Sequence, residues 1–315
     1  MADERDMREI YARTLLEAAE TDDRICVLEA DLMKATGTPV FADRFPERAF
    51  NVGVAEANLV GIACGLASMG KRPYAATFTA FAARKAYDQF FVSGNYSGLR
   101  VNLIGTDPGI TAELNGGTHM CFEDVTMMRA VPELTIIEPC DRRSLEALVR
   151  ESIDYDGSIY LRLQRKGGLS LYDEDETFRI GKGNVVRDGD DVTIIAVGMV
   201  LMEEALKAIE MLSAEGISAA LIDMHTIKPL DGDLVEQYAR KTGAIVSCEN
   251  AQVMGGLGAA IAEHLSETVP TPLCRIGSRD QFGQVGDLDY LKGTYAMDAA
   301  SIVAGAKSVI ARRRG

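Results

Sequence analysis

Glu56 is the only charged residue between Arg48 and Lys71. It lies in N-V-G-V-A-E-A-N-L-V-G, Asn51 to Gly61, and from there to Met69 only Asn58 and Ser68 are neither apolar nor small. An ionised carboxylate is costly to bury in such surroundings. It needs a raised pKa or a dedicated partner, and either suits an acid that hands a proton to one specific group. The ordinary alternative is an acid in a first helical turn, stabilised by the helix dipole. The unbroken apolar flank favours the chemical reading. His119 is the second candidate, in a loop of small residues, N-G-G-T-H, after a predicted strand. His225, just past a strand in M-H-T-I-K-P-L, is expected to make a structural hydrogen bond, and His264, in a helical segment, to be solvated. With these three histidines alone, a His-based metal cluster is not expected.

Other chemistries lack their signatures. There is no G-x-x-x-x-G-K-[ST] loop, no G-x-S-x-G and no H-E-x-x-H. Gly255-Gly256-Leu257-Gly258 fails the dinucleotide spacing, because Ile261 stands where the third glycine belongs. It reads as a tight turn with close backbone packing, with an anion site as the lesser alternative.

These residues must be carried by a frame. The chain has 315 residues, 47% hydrophobic and 25% charged, enough for two soluble globular domains. The net charge of -14 argues against a nucleic-acid surface. The basic cluster Arg312-Arg313-Arg314 reads as a frayed, solvated tail. A charged start and the lack of a long apolar run predict neither signal peptide nor membrane span. Six scattered cysteines without C-x-x-C predict buried free thiols in a reducing cytoplasm.

Short β-rich runs (25–30, 74–78, 101–105, 134–138, 159–163, 192–197, 218–223, 244–248 and 272–276) alternate with helical patterns (7–20, 55–69, 142–152, 201–212, 233–241, 258–265 and 299–310). That rhythm predicts an α/β fold of two doubly wound domains, each a mostly parallel sheet flanked by helices. The rhythm breaks at the glycine- and charge-rich stretch 166–190, read as a linker between domains 1–165 and 191–315. Ligands then belong at the carboxyl ends of the strands.

Four segments in this order resemble the C-terminal part of transketolase-type, thiamine-diphosphate enzymes. They are E-A-D-L (Glu29 to Leu32), the Glu56 segment, T-F-T-A-F-A-A-R-K-A-Y-D-Q (Thr77 to Gln89) and G-G-T-H-M-C-F-E-D (Gly116 to Asp124), followed by M-M-R-A-V-P and I-I-E-P. The second half, with G-D-D-V-T-I-I-A-V-G and E-N-A-Q-V-M-G-G-L-G, resembles the family's C-terminal domain. The resemblance implies a pyrimidine-binding domain over 1–165. It makes Glu56 the acid that hydrogen-bonds N1' of the cofactor's aminopyrimidine and so promotes the ylid. Phe78 and Phe81 become the aromatic pair beside that ring, although by spacing alone they read as core, and Asp31 a further cofactor contact. His119 matches a histidine facing the substrate's hydroxyls. Arg165 matches an arginine that grips a substrate phosphate, with Arg162 and Lys85 as further possibilities; an ion pair at a strand end is the alternative for Arg162.

Departures from the family pattern matter too. Asn115 stands where an aspartate usually reads an acceptor hydroxyl, Asp107 where many members have a second histidine, and Ala35 where a serine often contacts phosphate. Sugar preference, and even a phosphate on the substrate, is therefore open. The G-D-G…N motif that holds the diphosphate's metal is missing. The resemblance thus implies one subunit of a split transketolase, with Mg2+ or Ca2+ and the diphosphate held by an N-terminal partner chain, and two copies of each chain in the assembly. The activity implied is ketol transfer between a ketose and an aldose. A 1-deoxyxylulose-5-phosphate synthase, a 2-oxo acid dehydrogenase β subunit and an inactive relative are the alternatives.

Overall fold

The computed structural model describes residues 5–313. The first sheet is built from β1 (Ile25–Glu29), β2 (Ala49–Asn51), β3 (Arg72–Phe78), β4 (Asn102–Thr106), β5 (Thr135–Ile137) and β6 (Ile159–Leu163). The second holds β7 (Asn184–Arg187), β8 (Val192–Ala196), β9 (Ala219–Asp223), β11 (Ile245–Gln252) and β12 (Leu273–Ser278). Between β9 and β11 in sequence, β10 (Thr226–Lys228) crosses back to the first sheet. The strand orders are β10-β5-β6-β4-β3-β1-β2 and β12-β11-β8-β9-β7. All neighbours are parallel except β10 on β5 and β7 on β9. β1, β4, β6, β8 and β9 are buried along their whole length, as strands covered on both faces must be.

This is the doubly wound α/β architecture that the alternating pattern implies. The apolar residues spaced through 201–212 lie on the helix Met199–Ala214, with Leu201, Met202, Ala205, Ile209 and Leu212 buried. The helix Arg142–Asp154 starts where Asp141 accepts a hydrogen bond from the Ser144 N–H at 2.7 Å. β2, β7 and β10 carry too few residues for a periodic signal, and β7 falls within the stretch read as a linker. β10 is fixed by its neighbours: the Glu138 N–H donates to the His225 carbonyl at 2.9 Å, and the Lys228 ammonium caps the Arg129 carbonyl at 3.0 Å.

Arg312 and Arg313 are not a frayed tail. They end the helix Ala299–Arg313 and donate to the carbonyls of Leu273 and Asp191, each at 3.0 Å; Arg314 lies outside the described residues. His264 is only partly exposed and meets Glu236 at 3.2 Å. His225 is buried between Thr226 and Asn184, and burial pushes its pKa down to about 4. All six cysteines are free thiols. Among the described residues no helix is long and apolar enough to cross a membrane.

Candidate functional site

In the first sheet the chain steps from β1 outward to β2 and then back across to β3, so the strand order reverses between β1 and β3. A crevice opens at such a point, at the carboxyl ends of the strands. Asp31 follows β1 with a left-handed backbone, φ 62°. Its N–H donates to the Asn51 side-chain oxygen at 3.0 Å, and the Asn51 amide donates back to its carboxylate at 3.1 Å, locking the ends of β1 and β2 together.

Glu56 is the first residue of the helix Glu56–Ser68, which leaves the carboxyl end of β2 and packs along β3 and the helix Thr79–Lys85. The residue before it, Ala55, offers no capping side chain. Glu56 is only 5% exposed. Among the described residues its carboxyl group has no hydrogen-bond or ion-pair partner. A buried acid at an uncapped helix start, unpaired among the described residues, is an exception to the rule that buried polar groups find a partner.

Phe78 ends β3 and Phe81 sits one turn into the next helix, their rings edge to face at 6.0 Å. The His119 ring closes the group, 5.8 Å from Phe78 and 5.2 Å from Phe81. The Arg165 guanidinium lies 5.0 Å from the Phe78 ring centre and the Lys85 ammonium 5.3 Å from that of Phe81. Arg165 is in turn paired with Asp107, its Nε donating at 2.7 Å. So Phe78, Phe81, Lys85, Asp107, His119 and Arg165, drawn from the ends of β3, β4 and β6 and the loop after β4, form one connected set. Asn115 is exposed in the same loop, four residues before His119.

The His119 loop is held from several sides. The Thr118 hydroxyl is 3.0 Å from His119 Nδ1. Arg84 donates to the Thr118 carbonyl at 3.1 Å and the Met120 carbonyl at 3.0 Å. From the second domain, the segment after β12 lies against it so closely that a Cβ on Gly117 would come within 2.3 Å of the Gly283 carbonyl oxygen. Nearby, the Asn250 amide donates to the Pro108 carbonyl at 2.8 Å and accepts from the Ile110 N–H at 2.9 Å. Sequence reasoning named none of Arg84, Thr118, Asn250 and Gly283, because each acts through a contact distant in the chain or through its backbone.

Arg162 does not join the site, and the substrate contact expected of it is corrected. Its side chain is fully buried, with Nε donating to Asp124 at 2.7 Å, one Nη to the Asn250 carbonyl at 2.9 Å and the other to Glu138. Burial works against its charge, but Asp124 and Glu138 hold its pKa above the usual arginine value. It is a core ion pair where the two sheets meet. The glycine cluster after β11 is occupied by an acid of this chain: the Glu249 carboxyl group accepts from the N–H groups of Leu257 at 2.7 Å and Gly258 at 2.9 Å, while burial pushes its pKa up to about 7. A Cβ on Gly256 would fall 1.8 Å from that carboxyl group, so only glycine fits. Glu29, at the end of β1, is a further buried acid. Burial pushes it up to about 7, against hydrogen bonds from Thr36 and Thr38. Among the described residues no group of three or more His, Cys, Asp or Glu side chains is placed to hold a metal ion.

Comparisons with known proteins bear on this arrangement. The model of the transketolase pyrimidine-binding domain matches residues 3–168, and that of the transketolase C-terminal domain residues 181–302. The chain is 48% identical over 98% of its length, and 95% of the relative's, to a protein named 6-deoxy-6-sulfo-D-fructose transketolase subunit SqwH from Clostridium sp. (strain MSTE9). It is 40% identical over 94% of its length, and 93% of the relative's, to a putative transketolase C-terminal section from Methanocaldococcus jannaschii. A solved structure described as a split gene transketolase, inactive beta4 tetramer, superposes with a TM-score of 0.90 at 38% identity, covering 99% of this chain and 100% of that one. The chain therefore belongs to the transketolase family and carries its pyrimidine-binding and C-terminal domains.

Proposed function

We propose that this chain is one subunit of a two-chain transketolase, transferring a two-carbon ketol unit from a ketose to an aldose in the cytoplasm. The observation that carries the reading is the Glu56 carboxyl group, 5% exposed and without a hydrogen-bond or ion-pair partner among the described residues. An acid so placed fits the aminopyrimidine of thiamine diphosphate, whose ring nitrogen N1' can take the hydrogen bond that Glu56 otherwise lacks. The aromatic pair supports the same fit, Phe78 stacking offset on the ring and Phe81 packing behind it. Asp31 adds a polar edge at the switch point. When bound, thiamine diphosphate supplies the carbanion chemistry by which the carbon–carbon bond is broken and remade.

The residues of the chain then have distinct tasks. Glu56 holds a proton at N1'. His119, whose Nδ1 is engaged by Thr118, turns its other ring nitrogen to the substrate oxygen that gains charge as the ketol unit moves. Asn115, an amide with both donor and acceptor, meets an acceptor hydroxyl. Arg165 and Lys85 provide the positive rim for the far end of the sugar. The diphosphate and its Mg2+ or Ca2+ belong to a partner chain carrying the missing G-D-G…N segment, and two copies of each chain make the assembly. The split form of the relatives supports this division.

The test is reconstitution. The purified chain with thiamine diphosphate and Mg2+ is expected to leave xylulose 5-phosphate unchanged, and addition of the partner chain to allow transfer from a ketose donor. Turnover by the chain alone, or none with any donor and acceptor pair in the complex, would overturn the reading.

A further inference from the structure

The second sheet has a switch point of its own. From β8 the chain steps to β9 on one side and then to β11 on the other, so a crevice is expected between the carboxyl ends of β8 and β11. The first domain fills it. A Cβ on Gly198, just after β8, would fall 2.3 Å from Glu138 Oε1, and the Asn250 carbonyl near the end of β11 accepts from Arg162 at 2.9 Å. β11 shifts its register with β12 between Cys248 and Gln252. An irregularity of this kind re-aims side chains. Glu249 turns into its own domain, onto the N–H groups of Leu257 and Gly258, and Asn250, 2% exposed, turns to the first.

There Asn250 meets the turn that opens the His119 loop. Its Nδ2 donates to the Pro108 carbonyl at 2.8 Å, and its Oδ1 accepts from the Ile110 N–H at 2.9 Å. Asp107 and Gly109, on either side of Pro108, both have left-handed backbones, φ 53°. A proline followed by such a glycine marks a type II turn, in which the fourth residue's N–H usually donates to the first residue's carbonyl. Here the fourth N–H, that of Ile110, goes to the second domain instead. A Cβ on Gly109 would come within 2.0 Å of Asn250 Oδ1, so no side chain can stand between them. The far end of the loop is tied to the same place. The Gly109 N–H donates to the Cys121 carbonyl at 3.1 Å, and the Gln252 N–H to the Phe122 carbonyl at 2.8 Å. His119 thus rides on a loop whose two feet are held from β11, one by the Asn250 side chain and the other by the Gln252 backbone. Resting on the ketol-transfer reading, we infer that Asn250 is a positioning residue for that reaction: itself buried, it sets His119 against the substrate from across the domain seam.

The experiment uses the chain reconstituted with its diphosphate-binding partner, thiamine diphosphate and Mg2+. The donor is the best of D-xylulose 5-phosphate, D-fructose 6-phosphate and D-fructose, and the acceptor D-ribose 5-phosphate. Asn250→Ala leaves the Pro108 carbonyl its bond from the Thr111 hydroxyl at 2.6 Å and deprives the Ile110 N–H of its acceptor. The variant is expected to lower kcat/KM about tenfold or more, as misplacement of a reacting group does, while C2 proton exchange stays within about twofold of the wild type. In a His119→Ala background the same substitution is expected to cost less than about twofold, because the group it displaces is already gone. A merely structural role would give the same loss in both backgrounds. Equal losses, a kcat/KM unmoved in the folded variant, or C2 exchange slowed in parallel would overturn the inference. Asn250→Asp keeps the shape but sets a carboxylate oxygen against the Pro108 carbonyl, and it serves in the same cycle if the alanine variant does not fold. If no donor turns over in the wild type, ketol transfer fails, and calorimetric Kd values for the same sugars carry the cycle. A Kd raised by Asn250→Ala when His119 is present, and not when it is absent, still supports the positioning role. A Kd that Asn250→Ala leaves unchanged or raises equally in both backgrounds, or no binding of any sugar, overturns it.

Discussion

Arg162 and Asp124 face each other with both side chains wholly shielded from solvent, Nε to carboxylate at 2.7 Å. Glu138 shares the same guanidinium, and the Asn250 carbonyl from β11 takes another of its N–H groups. The pair therefore joins the two sheets at their seam. Arg162→Ala leaves two buried carboxylates without their counter-charge, so the expected loss of stability is about 3–5 kcal/mol. Urea unfolding of the chain measures it, and a loss below about 1 kcal/mol would show that the pair contributes little.

Glu56→Gln should separate folding from function. Among the described residues the carboxyl group makes no hydrogen bond or ion pair, so the amide removes none. Circular dichroism and the unfolding midpoint are expected to stay as in the wild type. Exchange of the C2 proton of thiamine diphosphate in the reconstituted complex is expected to slow by about 10²-fold or more, the usual worth of a placed acid or base. Exchange at the wild-type rate would remove Glu56 from the reaction.

Glu29 gives the stability a pH dependence of known sign. Burial raises its folded-state pKa to about 7, above the unfolded value of about 4.3. The folded chain therefore holds a proton that the unfolded chain has lost, and this contribution, complete below about pH 4, is lost as pH rises towards 7. Glu29→Gln cannot titrate. Between about pH 4.5 and 7 the wild type should lose up to ~1.4 kcal/mol per pH unit relative to the variant. Parallel pH profiles of unfolding free energy for the two proteins would contradict this.

Gly117 places the His119 loop against the second domain. Gly117→Ala puts a methyl group 2.3 Å from the Gly283 carbonyl oxygen, so one segment must move. Overpacking of this kind costs about 1–3 kcal/mol. The expected result in the reconstituted enzyme is a KM for the ketose raised several-fold, with C2 proton exchange unaffected, because Glu56 lies on a different element. Unchanged KM would mean that the loop's seat does not govern the sugar.

Legibility in the sequence follows how local each feature is. Glu56 stands out because the only charged residue in the 22 from Ala49 to Gly70, a mostly apolar and small stretch, breaks a local rule. Phe78 and Phe81 do not, since core phenylalanines share their spacing, and they are picked out only through the resemblance. The strand pattern puts Arg162 near a strand end, but which neighbours cover it depends on Asn250, 88 residues later. Arg165, three residues further and just past β6, shows how small a sequence step separates a core ion pair from the site edge.

By itself the sequence determined the alternation of strands and helices, the two-sheet architecture and the family, because periodicity and ordered motifs are properties of contiguous residues. Tertiary structure alone decided that β10 crosses to the first sheet, that Glu249 occupies the glycine-rich helix start, and that Asp107 sits on Arg165. Each of those depends on a pairing between segments far apart in the chain, and a hydrogen bond or ion pair of that kind leaves no pattern until the fold brings its two halves within about 3 Å.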